Sequence, residues 1–371
     1  MSKKKIAFLN LAKQSELLQE SILEGFKTAI SASAFVSGER VRDFEDAYAH
    51  FIGVKHCVAV DNGTNALFLA LVALGIGRGD EVLVPVNTFI ATAEAVSLAG
   101  ARPVFIDIEK NSYCLDTNLI EKSLTSKTKA IIPVHLYGQC ADMDVVRALA
   151  QARNFYVIED ACQAHGAQYQ GQMAGAMGDM AAFSFYPGKN LGAWGEAGAI
   201  VTNNDSLAEK LCLLRNHGSP EKYVHKTAGG NFRMSEFQAI VLKKKLGYLP
   251  QWNNLRQKKS DIYRQRLGAL PQIKLPAVGT KNNHVWHLFV IQADNRDGLR
   301  QWLFTKGIET GIHYPTPLHL TGAYDYLGYK KGDFPEAEKV QAQILSLPMY
   351  PEIPDEDIHC VCDAIKEFYG T

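Results

Sequence analysis

The sequence has no excess of charge of either sign: 39 Lys and Arg balance 39 Asp and Glu over 371 residues. Without a basic field, nothing draws the chain to nucleic acid or an anionic membrane, so a small molecule is the expected partner. Paired cysteines are missing too. The seven present (Cys57, Cys114, Cys140, Cys162, Cys212, Cys360, Cys362) are scattered, and their one close pair is a C-x-C, which is neither a zinc-knuckle nor a redox spacing. They read as reduced thiols of a cytoplasmic protein. No window reaches the ~18 apolar residues of a membrane helix; the most apolar helical stretch, 65–76, runs into Arg78 and Asp80. Lys3, Lys4 and Lys5 followed by the apolar run 6–12 imitate a signal peptide, but Lys13 cuts the run short. Internal repeats, low-complexity tracts and coiled-coil heptads are absent as well.

What is present is 47% apolar residues, enough for a large core in roughly two domains of ~150 residues. Short β-branched runs at 56–60, 81–86, 103–108, 129–136, 155–159, 180–186 and 198–202 alternate with helical patterns. Several runs are apolar on both faces, as in a mostly parallel sheet covered by helices on both sides. This predicts an α/β large domain. A stretch of helix formers from 237 to 257, interrupted at Pro250 and resuming at 252–267, leads into a second unit. There a strand-like run at 285–291 and helices near 296–306 and 355–369 predict a smaller α+β domain. Trp286 and Phe289 are expected in its core, and Lys243-Lys244-Lys245 on a solvated helix face.

Phosphate-loop and dinucleotide motifs fail: there is no G-x-x-x-x-G-K-[ST], and Gly75, Gly77 and Gly79 follow a helix rather than a strand. Asn62-Gly63-Thr64-Asn65 is a better anion seat, because a strand ends there in a turn that opens an apolar helix with free N–H groups. An ordinary helix cap on Asn62 or Thr64 explains the same residues. Asp160 stands at the carboxyl end of a parallel strand, where open α/β sheets build ligand sites, although a helix N-cap is the competing reading. Lys189 leaves a buried strand through Tyr186-Pro187-Gly188 into a tight loop. Flanking aromatics desolvate its amine and favour the neutral form that a Schiff base needs. An amine, an acid and an anion cradle are together what pyridoxal phosphate requires. His135, His165 and His217 have no metal-ligand spacing, so no metal is assigned and core or pocket hydrogen bonding is expected.

The chain resembles the DegT/DnrJ/StrS sugar aminotransferases over almost its whole length. The resemblance rests on Gly38-Glu39-Arg40-Val41, Asn62-Gly63-Thr64-Asn65, Asn87-Thr88-Phe89-Ile90-Ala91-Thr92, Pro133-Val134-His135-Leu136-Tyr137-Gly138-Gln139, Glu159-Asp160-Ala161-Cys162-Gln163, Ser184-Phe185-Tyr186-Pro187-Gly188-Lys189-Asn190, Arg215-Asn216-His217-Gly218 and His313-Tyr314-Pro315. It implies the type I fold of pyridoxal-phosphate transferases: α/β, with a large domain (1–248) built on a mostly parallel seven-stranded sheet and a smaller C-terminal α+β domain (249–371).

Carried over by position, the resemblance makes Lys189 the Schiff-base lysine and Asp160 the partner of the ring nitrogen. Gln163 matches the glutamine near the ring hydroxyl, Phe89 the stacking aromatic, and Gly63, Thr64 and Ser184 the phosphate contacts. Asn231 matches an asparagine lent by a second subunit, which implies a homodimer with shared sites; Tyr186, His313 and Tyr314 match the sugar-nucleotide pocket. Two departures stand out: Glu196 where many members carry Asp, and Gly188 where many carry Ser or Thr.

The implied reaction moves an amino group from glutamate to a keto nucleotide-sugar in deoxysugar biosynthesis, the nearest resemblance being to enzymes that aminate dTDP-3-keto-6-deoxyhexoses. Amination at C4 is the alternative. Sugar dehydratases of this fold are expected to carry histidine in place of Lys189, and a non-catalytic regulatory role fits poorly with an intact Lys189, Asp160 and Gln163.

Overall fold

The computed structural model describes residues 5–370; Lys3 and Lys4 of the signal-like stretch lie outside them. All seven predicted runs become strands of one sheet, in the order His56–Val60, Gly198–Thr202, Met180–Ser184, Tyr156–Asp160, Thr128–Ile131, Glu81–Pro85, Arg102–Ile106. Neighbours pair in parallel except that Gly198–Thr202 runs antiparallel to both strands beside it. The central strands are apolar on both faces because helices cover both; Met180, Ala181 and Ala182 are fully buried. Helix Gly63–Ala73 lies on Met180–Ser184 and Gly198–Thr202, which brings its first turn beside Ser184. The parallel strands point their carboxyl ends the same way, and the site forms there.

The helical stretch breaks as expected near Pro250, but earlier, between the helix Glu236–Leu246 and the helix Leu249–Leu267. Pro250 sits in the first turn of the second helix, where its missing N–H has no helical partner to lose. The lysine triplet also departs from expectation. Lys243 is exposed and pairs with Asp43 at 2.8 Å, and Lys244 is exposed, but Lys245 is 2% exposed and donates to the Gly192 carbonyl at 2.8 Å. Successive helical residues are about 100° apart, so a run of three on a packed helix cannot all face water. Burial pulls the Lys245 amine down to about 8.

A second core surrounds Tyr263, Phe289, Ile291, Leu299, Leu345 and Ile358. It lies against a three-stranded antiparallel sheet, Ile273–Lys274, Phe289–Ala293 and Ile344–Leu347, with helices Arg296–Thr305 and Asp355–Tyr369 beside it. Trp286 and Phe289 are buried there as expected. The strand, however, begins only at Phe289. Residues 285–288 cross between the two cores, with Val285 N–H on the Gly138 carbonyl (2.9 Å) and Leu288 N–H on that of Tyr137 (3.2 Å). This crossing needs glycine at 138, where φ is +108° and a Cβ would stand 2.9 Å from the Trp286 and His287 nitrogens.

Distant parts of the sequence tie the two cores together. Ile6 bridges to Ile308 and packs in the second core. Leu318, Tyr324, Phe334 and Val340 pack into the first. There Asp107 accepts from the N–H groups of Glu336 (3.0 Å) and Ala337 (2.9 Å), capping the helix Pro335–Gln343. Among the described residues no helix is long and apolar enough to cross a membrane, no cluster of His, Cys, Asp or Glu could hold a metal, and all seven cysteines are free.

Candidate active site

A cavity of about 860 Å³ opens at the carboxyl ends of the parallel strands. Of the residues expected at a site, Gly63, Thr64, Asp160, Ser184 and Lys189 form its floor. Phe89, Gln163, Tyr186, His313 and Tyr314 line it as well. Asn231 does not reach the cavity of its own chain; it is exposed and accepts from Arg233 Nε at 2.8 Å.

The strand Tyr156–Asp160 delivers two carboxylates to opposite faces. Glu159 points away from the cavity and is fully buried. It accepts from the N–H groups of Gly175 (2.8 Å), Met177 (2.7 Å) and Gly178 (2.6 Å), and from His135 Nε2 (2.8 Å). Because Ala141 N–H donates to His135 Nδ1 (3.2 Å), the proton of a neutral His135 sits on Nε2 and faces Glu159. This pins the strand one residue before Asp160. Asp160 lines the cavity, with Oδ2 accepting from the Thr92 hydroxyl at 2.7 Å and Oδ1 from Cys162 N–H at 3.2 Å.

Lys189 is held by its loop. Its N–H donates to the Tyr186 carbonyl (2.8 Å), Ala193 N–H donates to Phe185 (2.8 Å), and Asn190 Nδ2 donates to Asn253 and to the Val285 carbonyl, both at 2.9 Å. Burial lowers the pKa of its amine from the ordinary lysine value, against the opposing pull of Cys162 and Asp160. The amine is thereby moved toward the neutral, nucleophilic form.

At the helix start the cap reading is met, and the geometry leaves room for the anion seat. Asn62 Oδ1 accepts from Asn65 N–H (2.8 Å) as a cap, and Gly63 and Thr64, the first two helical residues, line the cavity, where helix N–H groups have no helical partner. Glycine is needed at 63 because a Cβ would lie 2.6 Å from Ser184 Cβ. An N-terminus flanked by the Thr64 and Ser184 hydroxyls, a carboxylate and a desolvated amine form a donor set that fits pyridoxal phosphate.

The upper wall comes from farther along the chain. Gln163 accepts from Tyr137 N–H (2.8 Å) and donates to the Tyr314 hydroxyl (2.9 Å). The Tyr137 hydroxyl donates to the His313 carbonyl, and His313 Nδ1 meets the Ser346 hydroxyl at 2.8 Å. Phe8 stacks on His313 with ring centres 5.6 Å apart, and Phe89 lies 5.5 Å from Tyr314. Below the floor, His165 donates from Nε2 to the Ser184 carbonyl (2.8 Å) and meets the Tyr48 hydroxyl (2.9 Å), and burial pulls its pKa down to about 3. His135 and His165 thus make core hydrogen bonds as expected. His217 does not: its side chain is exposed, and its hydrogen bonds are made by the backbone, the N–H to the Gly230 carbonyl (2.8 Å) and the carbonyl with His225 Nδ1 (2.8 Å).

Sequence reasoning missed Thr92, Thr88, His287, Phe8 and Leu9, all of which line the cavity. The threonines stood in plain view in Asn87-Thr88-Phe89-Ile90-Ala91-Thr92. Phe8 and Leu9 carried no local signal, since their place depends on the pairing of Ile6 with Ile308.

The sequence matches the DegT/DnrJ/EryC1/StrS aminotransferase family over residues 16–366. It is 44% identical over 361 residues to the erythromycin biosynthesis sensory transduction protein EryC1 of Saccharopolyspora erythraea, covering 97% of this chain and 99% of that one. With the dTDP-3-amino-3,4,6-trideoxy-alpha-D-glucose transaminase of Streptomyces venezuelae it shares 43% identity over 364 residues, 98% of this chain and 96% of that one. The crystal structure of S. venezuelae DesV in complex with a ketimine intermediate superposes with a TM-score of 0.97 at 43% identity, covering 99% of each chain. A cavity furnished for pyridoxal phosphate and these matches lead to one assignment: the chain belongs to the DegT/DnrJ/EryC1/StrS family and is a pyridoxal-phosphate-dependent nucleotide-sugar aminotransferase.

Proposed function

We propose that the protein transfers the amino group of glutamate to C3 of a dTDP-linked 3-keto-6-deoxyhexose, giving a dTDP-3-amino-3,6-dideoxyhexose. The observation that carries the chemistry is the meeting of Lys189, Asp160 and the Gly63–Ser184 cradle in one cavity. The position on the sugar and the carrier rest on the likeness to the S. venezuelae transaminase.

The bound cofactor supplies an electron sink. Asp160 would hold its ring nitrogen, Thr64, Ser184 and the helix start its phosphate, and Phe89 its ring. Lys189 Nζ, whose desolvation favours the neutral form, would remove the proton from Cα of the donor and return it to the carbon on the far side of the transferred nitrogen. In the second half-reaction the same amine delivers a proton to the sugar carbon that receives nitrogen. Tyr186, His313 and Tyr314 orient the sugar-nucleotide so that this carbon lies within reach of Nζ. Asn231, exposed and away from its own cavity, completes the phosphate seat of a second copy, so the working unit is a homodimer. Free thiols and a neutral total charge fit a cytoplasmic enzyme.

The test is a visible spectrum of the cofactor-loaded protein during titration with glutamate and then with 3-keto and 4-keto sugars on dTDP and UDP. Bleaching by glutamate and recovery with a dTDP-3-keto-6-deoxyhexose is the expected result. Recovery with 4-keto sugars alone would replace C3 amination by C4 amination, and a protein that never develops the band would end the aminotransferase reading.

A further inference from the structure

Asp160 is 6% exposed and has a donor for each oxygen: the backbone N–H of Cys162 on Oδ1 and the Thr92 hydroxyl on Oδ2. The second donor has a structure of its own. Thr92 has a single hydroxyl proton, and it points at the carboxylate. The 2.9 Å contact between the Thr88 and Thr92 oxygens must therefore have Thr88 as its donor. The two hydroxyls form a directed chain, Thr88 to Thr92 to Asp160, in which each bond polarises the next. Thr88 is 3% and Thr92 1% exposed, so both hydroxyls are shielded within the wall. The backbone fixes the geometry: Thr92 lies in the first turn of the helix Ala91–Leu98, with its N–H on the Phe89 carbonyl at 3.2 Å.

We propose that Thr92, oriented by Thr88, is a positioning residue that holds the Asp160 carboxylate aimed at the ring nitrogen of the cofactor. The inference rests on the role proposed above for Asp160. Hydrogen bonds to a carboxylate stabilise its charged form. Without the hydroxyl, Asp160 keeps only the Cys162 N–H as donor, its carboxylate is free to turn, and its hold on the ring nitrogen weakens. A valine at 92 keeps the shape of threonine and deletes only the donor. Losing one hydrogen bond to a charged group corresponds to roughly a 10- to 100-fold effect.

The experiment measures binding to the protein stripped of cofactor, by fluorescence titration, of pyridoxal phosphate and of an analogue whose ring nitrogen is replaced by carbon. Thr92→Val should bind pyridoxal phosphate at least tenfold more weakly than the wild type and the carbon analogue equally well; Thr92→Ser should match the wild type with both. In turnover, Thr92→Val should lower kcat with little change in KM. Equal losses for both ligands, or no loss for either, would overturn the proposal by reducing Thr92 to a packing residue. Asp160→Asn separates this from the underlying reading: if that variant does not discriminate the two ligands, Asp160 is not the ring partner, whereas discrimination by Asp160→Asn but not by Thr92→Val refutes the relay alone. Should Thr92→Val not fold, Thr88→Val reports on the outer hydroxyl, with a smaller loss of about threefold expected for pyridoxal phosphate only.

Discussion

The floor and the rim of the cavity are built in different ways. The floor (Gly63, Thr64, Asp160, Ser184, Lys189) comes from the carboxyl ends of strands of one sheet and the turns that follow them, held by backbone bonds such as Asp160 N–H to the Pro133 carbonyl (2.9 Å) and Lys189 N–H to that of Tyr186 (2.8 Å). The rim (Phe8, Leu9, Phe89, Tyr186, His313, Tyr314) is assembled from segments as far apart as residues 8 and 314, and two members are half in water, Phe89 at 52% and Tyr186 at 55% exposure. Chemistry common to a whole family belongs on the part that can barely move. Selectivity belongs where one substitution changes shape without disturbing the sheet.

Removing the floor's amine should have the largest effect. Lys189→Ala is expected to lower turnover by on the order of 10⁴-fold or more, with circular dichroism and melting temperature unchanged because the fold draws no hydrogen bond from Nζ. Wild-type turnover in this variant would remove the floor from the mechanism. Gly63→Ala should come next. Its new Cβ would meet Ser184 Cβ at 2.6 Å, so turn and strand must part, at a cost of about 1–3 kcal/mol in denaturant unfolding and a 10- to 100-fold weaker hold on pyridoxal phosphate. A substitution of similar size at a rim residue other than Phe89 should leave cofactor affinity alone.

The same contrast explains what could be read from the sequence. All seven strands of the main sheet were visible because β-branched runs and turn residues are local signals, and so were Asp160 and Lys189, each at a strand end. The misreadings occur where distant contacts decide. Residues 285–288 have strand composition but cross between cores, because Gly138 allows close approach and offers its carbonyl. Lys245 lies in a charged triplet but faces Gly192, because a helix cannot turn three consecutive residues outward. The apolar run that mimics a signal peptide is in part cavity wall, through Phe8 and Leu9, and only the pairing of Ile6 with Ile308 reveals it.

Acid should probe both regions together. Burial pulls His165, beneath the floor, down to about 3 and His313, on the rim, down to about 4. Each is a base whose folded pKa lies below its unfolded value. Each therefore contributes stability that is fully present above about pH 6.5 and is lost as pH falls toward its folded pKa. For His165 the slope is about 1.4 kcal/mol per pH unit across that window; for half-buried His313 it should be shallower, since solvent screens it. Urea unfolding at pH 7.5, 6.5, 5.5 and 4.5 gives the total slope, and a His165→Gln variant should flatten it by one proton. An unchanged slope would mean that the imidazole is already protonated in the fold.

The smallest effect separates rim from floor most sharply. Leu9 is half-buried and packs where Gly188 has no side chain; a Cβ at 188 would lie 3.3 Å from its Cδ2. Beside the lysine this chain presents an apolar surface. Leu9→Ala withdraws a few methyl groups from the wall that faces the sugar, worth about 1 kcal/mol, or roughly fivefold in affinity. The loss should appear in KM for the keto-sugar, with kcat, KM for glutamate and the visible spectrum unchanged, because nothing that holds Asp160 or Lys189 has moved. A fall in kcat comparable to that expected for Thr92→Val would show that the N-terminal segment helps to hold the floor, and the division between the two regions would then fail at the point where they touch.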